Sequence, residues 1–378
     1  MLDEMEVVVD GIIYQLQLHG GISRVFSEIL PRMCDIDDSL RIKLLTQGQL
    51  KQPLPEHPQI RHCPIFDPAR YLRPQRLWSP AMPAIERFVR GLYIGRGRQK
   101  IWHSTFYTVP TRWDGHLIMS VYDMIHDRYP DLYSGANSDK FRERKRRSIT
   151  QSDAVICISE TTRQDVHHFY GLDLDLIYVV RLACSDVFRK LVPPQLVPNT
   201  LVNHPFLLYL GGRSHYKNFN LLTEAFSIWP HRKNVTLVLV GGRPWSTDEE
   251  HRLLELGIRD QVQVLTDVDD QTLCQLYNQA LGLVYPSLYE GFGIPLLEAM
   301  ACGCPIVASR ISSTIEVAGD CPIYFDPTEE DDLLNALDIA LSQGRNSERI
   351  QTGLEKVKSY SWDKTAAQTL KIYRSVCA

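Results

Sequence analysis

Apolar positions along this chain fall into short runs separated by amphipathic stretches, the pattern of strands alternating with helices. In the first half, Glu6 to Val9, Arg41 to Leu45, Lys100 to His103, His116 to Tyr122, Ala154 to Ile158 and Leu176 to Val180 read as strands. The first is followed by Asp10-Gly11 and a loop ending His19-Gly20-Gly21-Ile22-Ser23-Arg24, then by an amphipathic helix over Val25 to Met33. From Val187 to Pro205 prolines interrupt every attempt at regular structure, as an interdomain connector would. The pattern then restarts. PFLLYLGG and NVTLVLVGG are strands running into diglycine turns; QVQVL, GLVYPS, PIVAS and CPIYFDP are further strands. Asn220 to Ile228, QTLCQLYNQA, Pro295 to Met300, Glu329 to Ser342 and the stretch after Trp362 are helical. Such alternation predicts an α/β chain of two parallel sheets, each covered on both faces. The expected boundaries are 1–187 for the first domain, 188–205 for the connector, 206–360 for the second domain and 361–378 for a closing helix.

The length, 378 residues, is enough for two domains with separate cores. With 44% hydrophobic and 23% charged residues, disordered and fibrous classes are excluded. Lys+Arg of 41 against Asp+Glu of 45 gives a net charge of -4, so nothing global attracts nucleic acid and any anion site must be local. The nine cysteines are scattered without a paired C-x2-C frame, which reads as reduced thiols and no metal site; Cys302, Cys304 and Cys321 read as packing residues. An acidic start, MLDEMEVVVDG, does not read as a signal or transit peptide, and no apolar run approaches the ~20 residues of a membrane span. A cytoplasmic location follows as an expectation, with contact at the inner membrane face left open.

Several constellations carry candidate chemistry. In YPSLYEGFGIPLLEAMACGCPIVAS, Glu290 and Glu298 lie eight apart around a Gly291 to Pro295 turn. Glycines permit close backbone approach, and Pro295 suits a first helical turn, so amides at Gly293 and Ile294 point out of a helix start that favours phosphate. Glu298, one turn inside, is placed to accept from a sugar or ribose hydroxyl. Two solvated glutamates at a helix end remain the ordinary alternative. In YLGGRSHYKN, Arg213 and Lys217 bring two cations to one turn, which suits a diphosphate or a basic turn facing water. Gly20-Gly21 precedes a helix and allows phosphate or sugar approach, or simply a tight turn. VYDMIHD ends a strand with a polar cluster, making His126 a candidate substrate contact and His103 a weaker one, each against a structural role. Ser159 reads as a helix N-cap. The basic run Arg142 to Arg147 reads as a solvated helix face, with contact to anionic lipid or a phosphorylated acceptor as the alternative.

Taken together, HGGISR, VYDMIHD, ISETT, YLGGRSHYKN, LVLVGG, the E-x7-E segment and the closing SWDKTAAQTLKIY resemble glycosyltransferase family 4 across nearly the whole chain. That resemblance implies the GT-B fold: two Rossmann-like domains facing across a cleft, an acceptor domain first and a nucleotide-sugar donor domain second, with the final helix crossing back to the first. It implies that Arg213 and Lys217 bind the donor diphosphate, that Glu290 positions donor-sugar hydroxyls, that Glu298 holds the ribose, and that Gly293 and Ile294 offer amides. Gly21 would approach diphosphate or acceptor, His126 would contact the donor sugar, and the base-binding loop would fall near Leu265 to Val268. The GGRSHYKN loop departs from the shorter arginine-lysine spacing of many members, which leaves open the atom of Arg213 that reaches phosphate.

The resemblance further implies a retaining mechanism with no essential metal and no cofactor beyond the donor. Two cations and a helix start can stabilise a departing nucleoside diphosphate, and a substitution on one face, with the leaving phosphate oxygen taking the acceptor proton, needs no dedicated base. The expected function is transfer of a hexose, mannose or rhamnose by similarity, to a glycan or lipid-linked saccharide in surface polysaccharide or O-antigen assembly. The alternatives are a non-hydrolysing nucleotide-sugar epimerase and a catalytically silent nucleotide-sugar-binding subunit.

Overall fold

The computed structural model describes residues 4–17, 20–65, 100–110, 113–192, 202 and 204–378. His19 of the glycine turn and most of the proline-rich connector lie outside them. No helix among the described residues is long and apolar enough to cross a membrane. The chain forms two compact units, Met1–Leu182 with Trp362–Ala378, and Ala183–Ser361.

The first unit is built on a seven-stranded sheet in the order β3-β2-β1-β4-β5-β6-β7. Its strands are β1 (Met5–Asp10), β2 (Leu40–Gln47), β3 (Ile60–Ile65), β4 (Ile101–Ser104), β5 (His116–Val121), β6 (Ala154–Cys157) and β7 (Ile177–Val179), all paired in parallel. Every residue of β4 and β6 is buried, as strands covered on both faces require. β3 is the strand that apolar patterning does not predict. Its IRHCPI exposes Arg61 and His62 in succession and carries Pro64, which is tolerated because β3 is an edge strand. The expected helix over Val25 to Met33 runs longer, Gly21–Ile36, and starts at the second glycine itself.

The helix Trp362–Cys377 packs on Gly21–Ile36 and is tied to it by Arg32–Asp363 at 3.1 Å and by Arg374–Asp37 at 2.9 Å. Its buried Tyr373 bonds His103, whose other ring nitrogen meets Ser120 Oγ at 2.8 Å. His103 is therefore a core residue joining β4, β5 and the closing helix, not a substrate contact. Burial pushes its pKa down to about 3 and keeps the imidazole neutral.

The second unit has six parallel strands in the order β10-β9-β8-β11-β12-β13. They are β8 (Phe206–Leu210), β9 (Thr236–Val240), β10 (Val262–Leu265), β11 (Gly282–Tyr285), β12 (Ile306–Ser309) and β13 (Ile323–Phe325). One apolar core runs beneath them from Tyr209 and Trp229 to Phe325 and Leu337. The chain enters this unit at Ala183, ahead of the connector expected at 188–205. Phe188 is buried edge-on to Tyr277, and Leu191 N donates to Asn278 Oδ1 at 2.9 Å, so the segment up to Leu191 is packed into the second unit. In each sheet the strand order reverses once, between β1 and β4 and between β8 and β11, and the crevice beyond the carboxyl ends of such strands is where α/β sheets bind ligands.

One expectation for the first unit is overturned. The basic run lies on the helix Ala136–Thr150, but Lys145 is 1% exposed and so is not part of a solvated face. Its Nζ donates to Asp127 Oδ2 and to the Asp123 carbonyl, each at 2.9 Å, and Tyr170 donates to Asp127 Oδ1 at 2.7 Å. Arg142, Arg144, Arg146 and Arg147 flank it, and Arg142 and Arg146 pair with Asp139 and Glu143 on the same helix. Helical periodicity explains the difference, because one position in such a run must face the sheet.

Two outcomes follow. Lys145→Ala leaves the Asp127 carboxylate without its ammonium partner and is expected to destabilise the protein by about 3–5 kcal/mol in urea unfolding, whereas Arg147→Ala is expected to change stability by less than about 0.5 kcal/mol. For His103 the folded pKa lies below the unfolded one, so its contribution is present above about pH 6.5 and is lost as pH falls toward 3. Acidification through that window should lower stability with a slope up to about 1.4 kcal/mol per pH unit steeper in the wild type than in His103→Gln, measured by urea titration at a series of pH values.

Candidate active site

At the reversal between β8 and β11, the loop after β8 carries Gly211 to Asn218 and the loop after β11 carries Pro286 to Gly293. Gly211 at φ 115° turns the first loop sharply out of the sheet. A short helical turn, His215–Lys217, then returns Lys217 toward the strand end. There its Nζ donates to Glu290 Oε1 at 2.5 Å, in a pair whose side chains are 16% and 13% exposed. Ser287 Oγ donates to the same oxygen at 2.6 Å. The ammonium also lies 5.3 Å from the centre of the Tyr216 ring and 5.6 Å from that of Tyr285. Burial, with the Glu290 charge second, pushes the Tyr285 phenol well above its usual range, so it stays protonated. The result is a cation and a carboxylate, largely removed from water, at the mouth of the sheet.

Glu290 is followed by the turn that begins the helix Ile294–Ala301, with Pro295 in its first turn. Gly293 is in the left-handed region at φ 111°, and a Cβ there would come within 3.0 Å of Leu296 Cδ1. The backbone conformation favours glycine, and a side chain there would also crowd Leu296 at the helix start. Glu298 lies in the second turn of this helix and is 5% exposed; its Oε2 accepts from the Tyr277 hydroxyl at 2.9 Å. It is therefore not a solvated helix-end glutamate.

Arg213 sits in different surroundings from Lys217. Its side chain is 2% exposed and stacks on Trp245, with the guanidinium carbon 4.3 Å from the ring centre. Nε donates to Glu249 Oε1 at 3.1 Å and Nη2 to the Arg243 carbonyl at 2.6 Å, while Nη1 is buried without a hydrogen-bond partner among the described residues. The Arg213 guanidinium and the Ser246 amide hold the Glu249 carboxyl below its usual pKa against the opposing effect of burial. Glu249 in turn closes a capping box with Ser246, which anchors the 243–246 loop beside the Gly241-Gly242 turn.

Gly21 and His126 belong to the first unit. Gly21 opens its long helix after Gly20; the Ser23 hydroxyl bonds the Gly20 carbonyl at 3.0 Å, and the Gln17 side chain lies over the turn to accept from Ser23 N at 3.4 Å. His126 follows β5 on the short helix Ile125–Arg128, with its ring 4.3 Å from Tyr133 and 4.7 Å from Phe141. Burial outweighs the neighbouring aspartates and lowers its pKa, which favours a neutral ring at pH 7. Ser159 caps its helix as expected, accepting from Thr162 N, and Asp269 caps Asp270–Gln279 by accepting from Thr272 N. The nine cysteines are all unbridged, and Cys302, Cys304 and Cys321 are buried packing residues; Cys274 Sγ stands 3.8 Å from Cys302 Sγ. No group of three or more potential metal-ligating side chains is gathered among the described residues.

Lys217, Glu290, Gly293, Ile294 and Glu298 thus gather on the loop and helix that follow one strand pair. Sequence reasoning missed Ser287, Tyr285, Tyr277, Trp245 and Glu249. Ser287 was within reach, since it stands three residues before Glu290 in the same loop. The others touch the site through tertiary contacts that no local spacing reveals.

Residues 197–356 match the family described as Glycosyl transferases group 1. The chain is 26% identical over 366 residues to O-antigen chain mannosyltransferase B of Escherichia coli, covering 94% of this chain and 96% of that one. Its fold is that of a sucrose-phosphate synthase from Thermosynechococcus elongatus, with TM-score 0.75, 17% identity and 98% of each chain covered. It is also that of WaaG, a glycosyltransferase involved in lipopolysaccharide biosynthesis, with TM-score 0.72, 14% identity, and 97% of this chain and 99% of that one covered. The two parallel α/β sheets are thus of the GT-B type, and the similarity to the glycosyl transferases group 1 family lies over the unit that carries Lys217 and Glu290.

Proposed function

We propose that this glycosyltransferase moves a hexose, with mannose the first candidate, from a nucleoside diphosphate sugar to a glycan or lipid-linked saccharide acceptor in surface polysaccharide assembly, with retention at the transferred carbon. The observation that carries the reading is the Lys217–Glu290 contact at the switch point of the second sheet, against the glycine-led start of Ile294–Ala301. Mannose is proposed because a relative matching over nearly the full length is named an O-antigen chain mannosyltransferase.

In this reading the Lys217 ammonium and the amides at Gly293 and Ile294 receive the negative charge that develops on the diphosphate as the sugar departs. Arg213 adds its Nη1, which has no hydrogen-bond partner among the described residues. Glu290 accepts from sugar hydroxyls, Glu298 from the ribose, and His126, as a neutral ring, from or to a donor-sugar hydroxyl; Gly21 allows close approach of diphosphate or acceptor. These donors supply what a divalent ion would otherwise do for the leaving group, so the reading assigns no metal or further cofactor.

A substitution on one face is favoured over a double displacement. A double displacement would need Glu290 to attack, and two hydrogen bonds to its Oε1, from Lys217 at 2.5 Å and Ser287 at 2.6 Å, draw charge from the carboxylate and lower its nucleophilicity. The acceptor hydroxyl instead adds to the anomeric carbon as the carbon–oxygen bond to the diphosphate breaks, and its proton passes to the departing phosphate oxygen.

Incubation of the protein with GDP-, UDP- and ADP-hexoses tests the reading: slow release of one nucleoside diphosphate with free sugar is expected, and accumulation of a 2-epimer of the donor, or no turnover of any donor, overturns it. Lys217→Ala should weaken affinity for the responding nucleoside diphosphate by about tenfold or more in calorimetry, through loss of a charge-assisted contact. Glu290→Gln should lower kcat by about a hundredfold or more while nucleotide affinity changes little, and a glycosyl adduct on Glu290 in mass spectra of quenched reactions would replace the one-face mechanism by a double displacement.

A further inference from the structure

Tyr277, on the helix Asp270–Gln279, is fully buried, and a buried phenol requires a partner for its hydroxyl. Both acceptors it finds lie on the helix Ile294–Ala301: Glu298 Oε2 at 2.9 Å and, more weakly, the Pro295 carbonyl at 3.3 Å. A phenylalanine would fill the same space, so packing does not account for the oxygen. Tyr277 is itself held from two sides. Phe188 meets its ring edge-on at 6.0 Å between centres. Arg345 donates to the carbonyls of Tyr277 at 2.6 Å, Ala280 at 2.7 Å and Gly303 at 2.9 Å, and so clamps the carboxyl ends of both helices to each other. Burial, and after it the Glu298 charge, raises the Tyr277 phenol well above its ordinary pKa, so at every working pH it is an O–H donor.

We infer that Tyr277 is a positioning residue for nucleotide recognition: by fixing one oxygen of Glu298 from within the core, it sets the direction in which that carboxylate meets the ribose hydroxyls of the donor. The inference rests on the reading that Glu298 accepts from the ribose. A buried carboxylate with a fixed donor on one oxygen has few rotamers to lose when a ligand hydroxyl arrives, and this preorganisation converts a hydrogen bond into affinity. A role confined to the core would instead affect all ligands alike.

Calorimetric titration of the full chain with GDP, UDP and ADP, followed by the 2′-deoxy and 3′-deoxy forms of the one that binds, tests this. The wild type should prefer the ribonucleotide over at least one deoxy form by about tenfold, as a hydrogen bond to a charged group implies. Tyr277→Phe should remove most of that preference by weakening the ribonucleotide and leaving the deoxy form unchanged. Equal weakening of both, or an undiminished preference, overturns the inference. The ribose reading is tested separately by Glu298→Gln, which should abolish the preference; if it does not, that reading fails whatever Tyr277 does. Should Tyr277→Phe alone fail to fold, the Tyr277→Phe and Glu298→Gln double variant, which carries no buried charge at Glu298, keeps the test open. It should bind the ribonucleotide and the deoxy form as Glu298→Gln does, and weaker binding of either than in that variant overturns the inference.

Discussion

A parallel sheet whose strands are buried on both faces can carry chemistry only at its ends. That constraint governs the second unit. β8, FLLYL, and β11, GLVY, are buried along their whole length, so neither strand can expose a functional side chain. What each can do is deliver the loop that follows it to one point. Because the strand order reverses between these two neighbours, the helices that follow them leave on opposite sides and open a crevice. Lys217 and Glu290, 73 residues apart in sequence, meet at that crevice.

The meeting is held by more than the charge pair. Ammonium and carboxylate side chains at 16% and 13% exposure have surrendered most of their hydration, and their attraction offsets this only when further partners are supplied. Ser287 and the rings of Tyr216 and Tyr285 supply them. The first unit uses a similar arrangement for another purpose. There the buried Lys145 meets the partly buried Asp127, which Tyr170 also bonds, and the Asp123 carbonyl, and the pair fixes the turn on which His126 stands. In both cases an ion pair gives a loop one conformation, a role distinct from adding stability.

Most strands were legible because a buried parallel strand is a short apolar run with turn residues at its end. β3 was not, since an edge strand with Arg61, His62 and Pro64 has neither the apolar run nor the alternation. The glycine turns and the E-x7-E segment stood out through residue types that close backbone approach and helix starts demand. What spacing could not convey was the fate of individual charges. Lys145, in a run of arginines, is the one that turns inward, and a basic run gives no sign of which member will do so. Tyr277 is placed in the core by helical periodicity, but its hydroxyl finds Glu298 through tertiary packing 21 residues away.

Arg213 shows how far the two kinds of reading can be joined. Sequence pairs it with Lys217 as a second cation of the same loop, and the fold gives it a different setting. Three of its features are structural: the stack on Trp245, the bond to Glu249 and the bond to the Arg243 carbonyl, which together fasten the 243–246 loop. Nη1 is not spent in this way. It lies against Gly242, where an added Cβ would come within 3.1 Å of it and where φ is 84°, so glycine at this position preserves both the turn and the space around the nitrogen. A buried guanidinium nitrogen without an acceptor is unfavourable by about 1–3 kcal/mol, and an anion reaching it would recover that energy. The arginine can therefore shape the loop through two of its nitrogens and still keep the third for a ligand, which a lysine at the same position could not do.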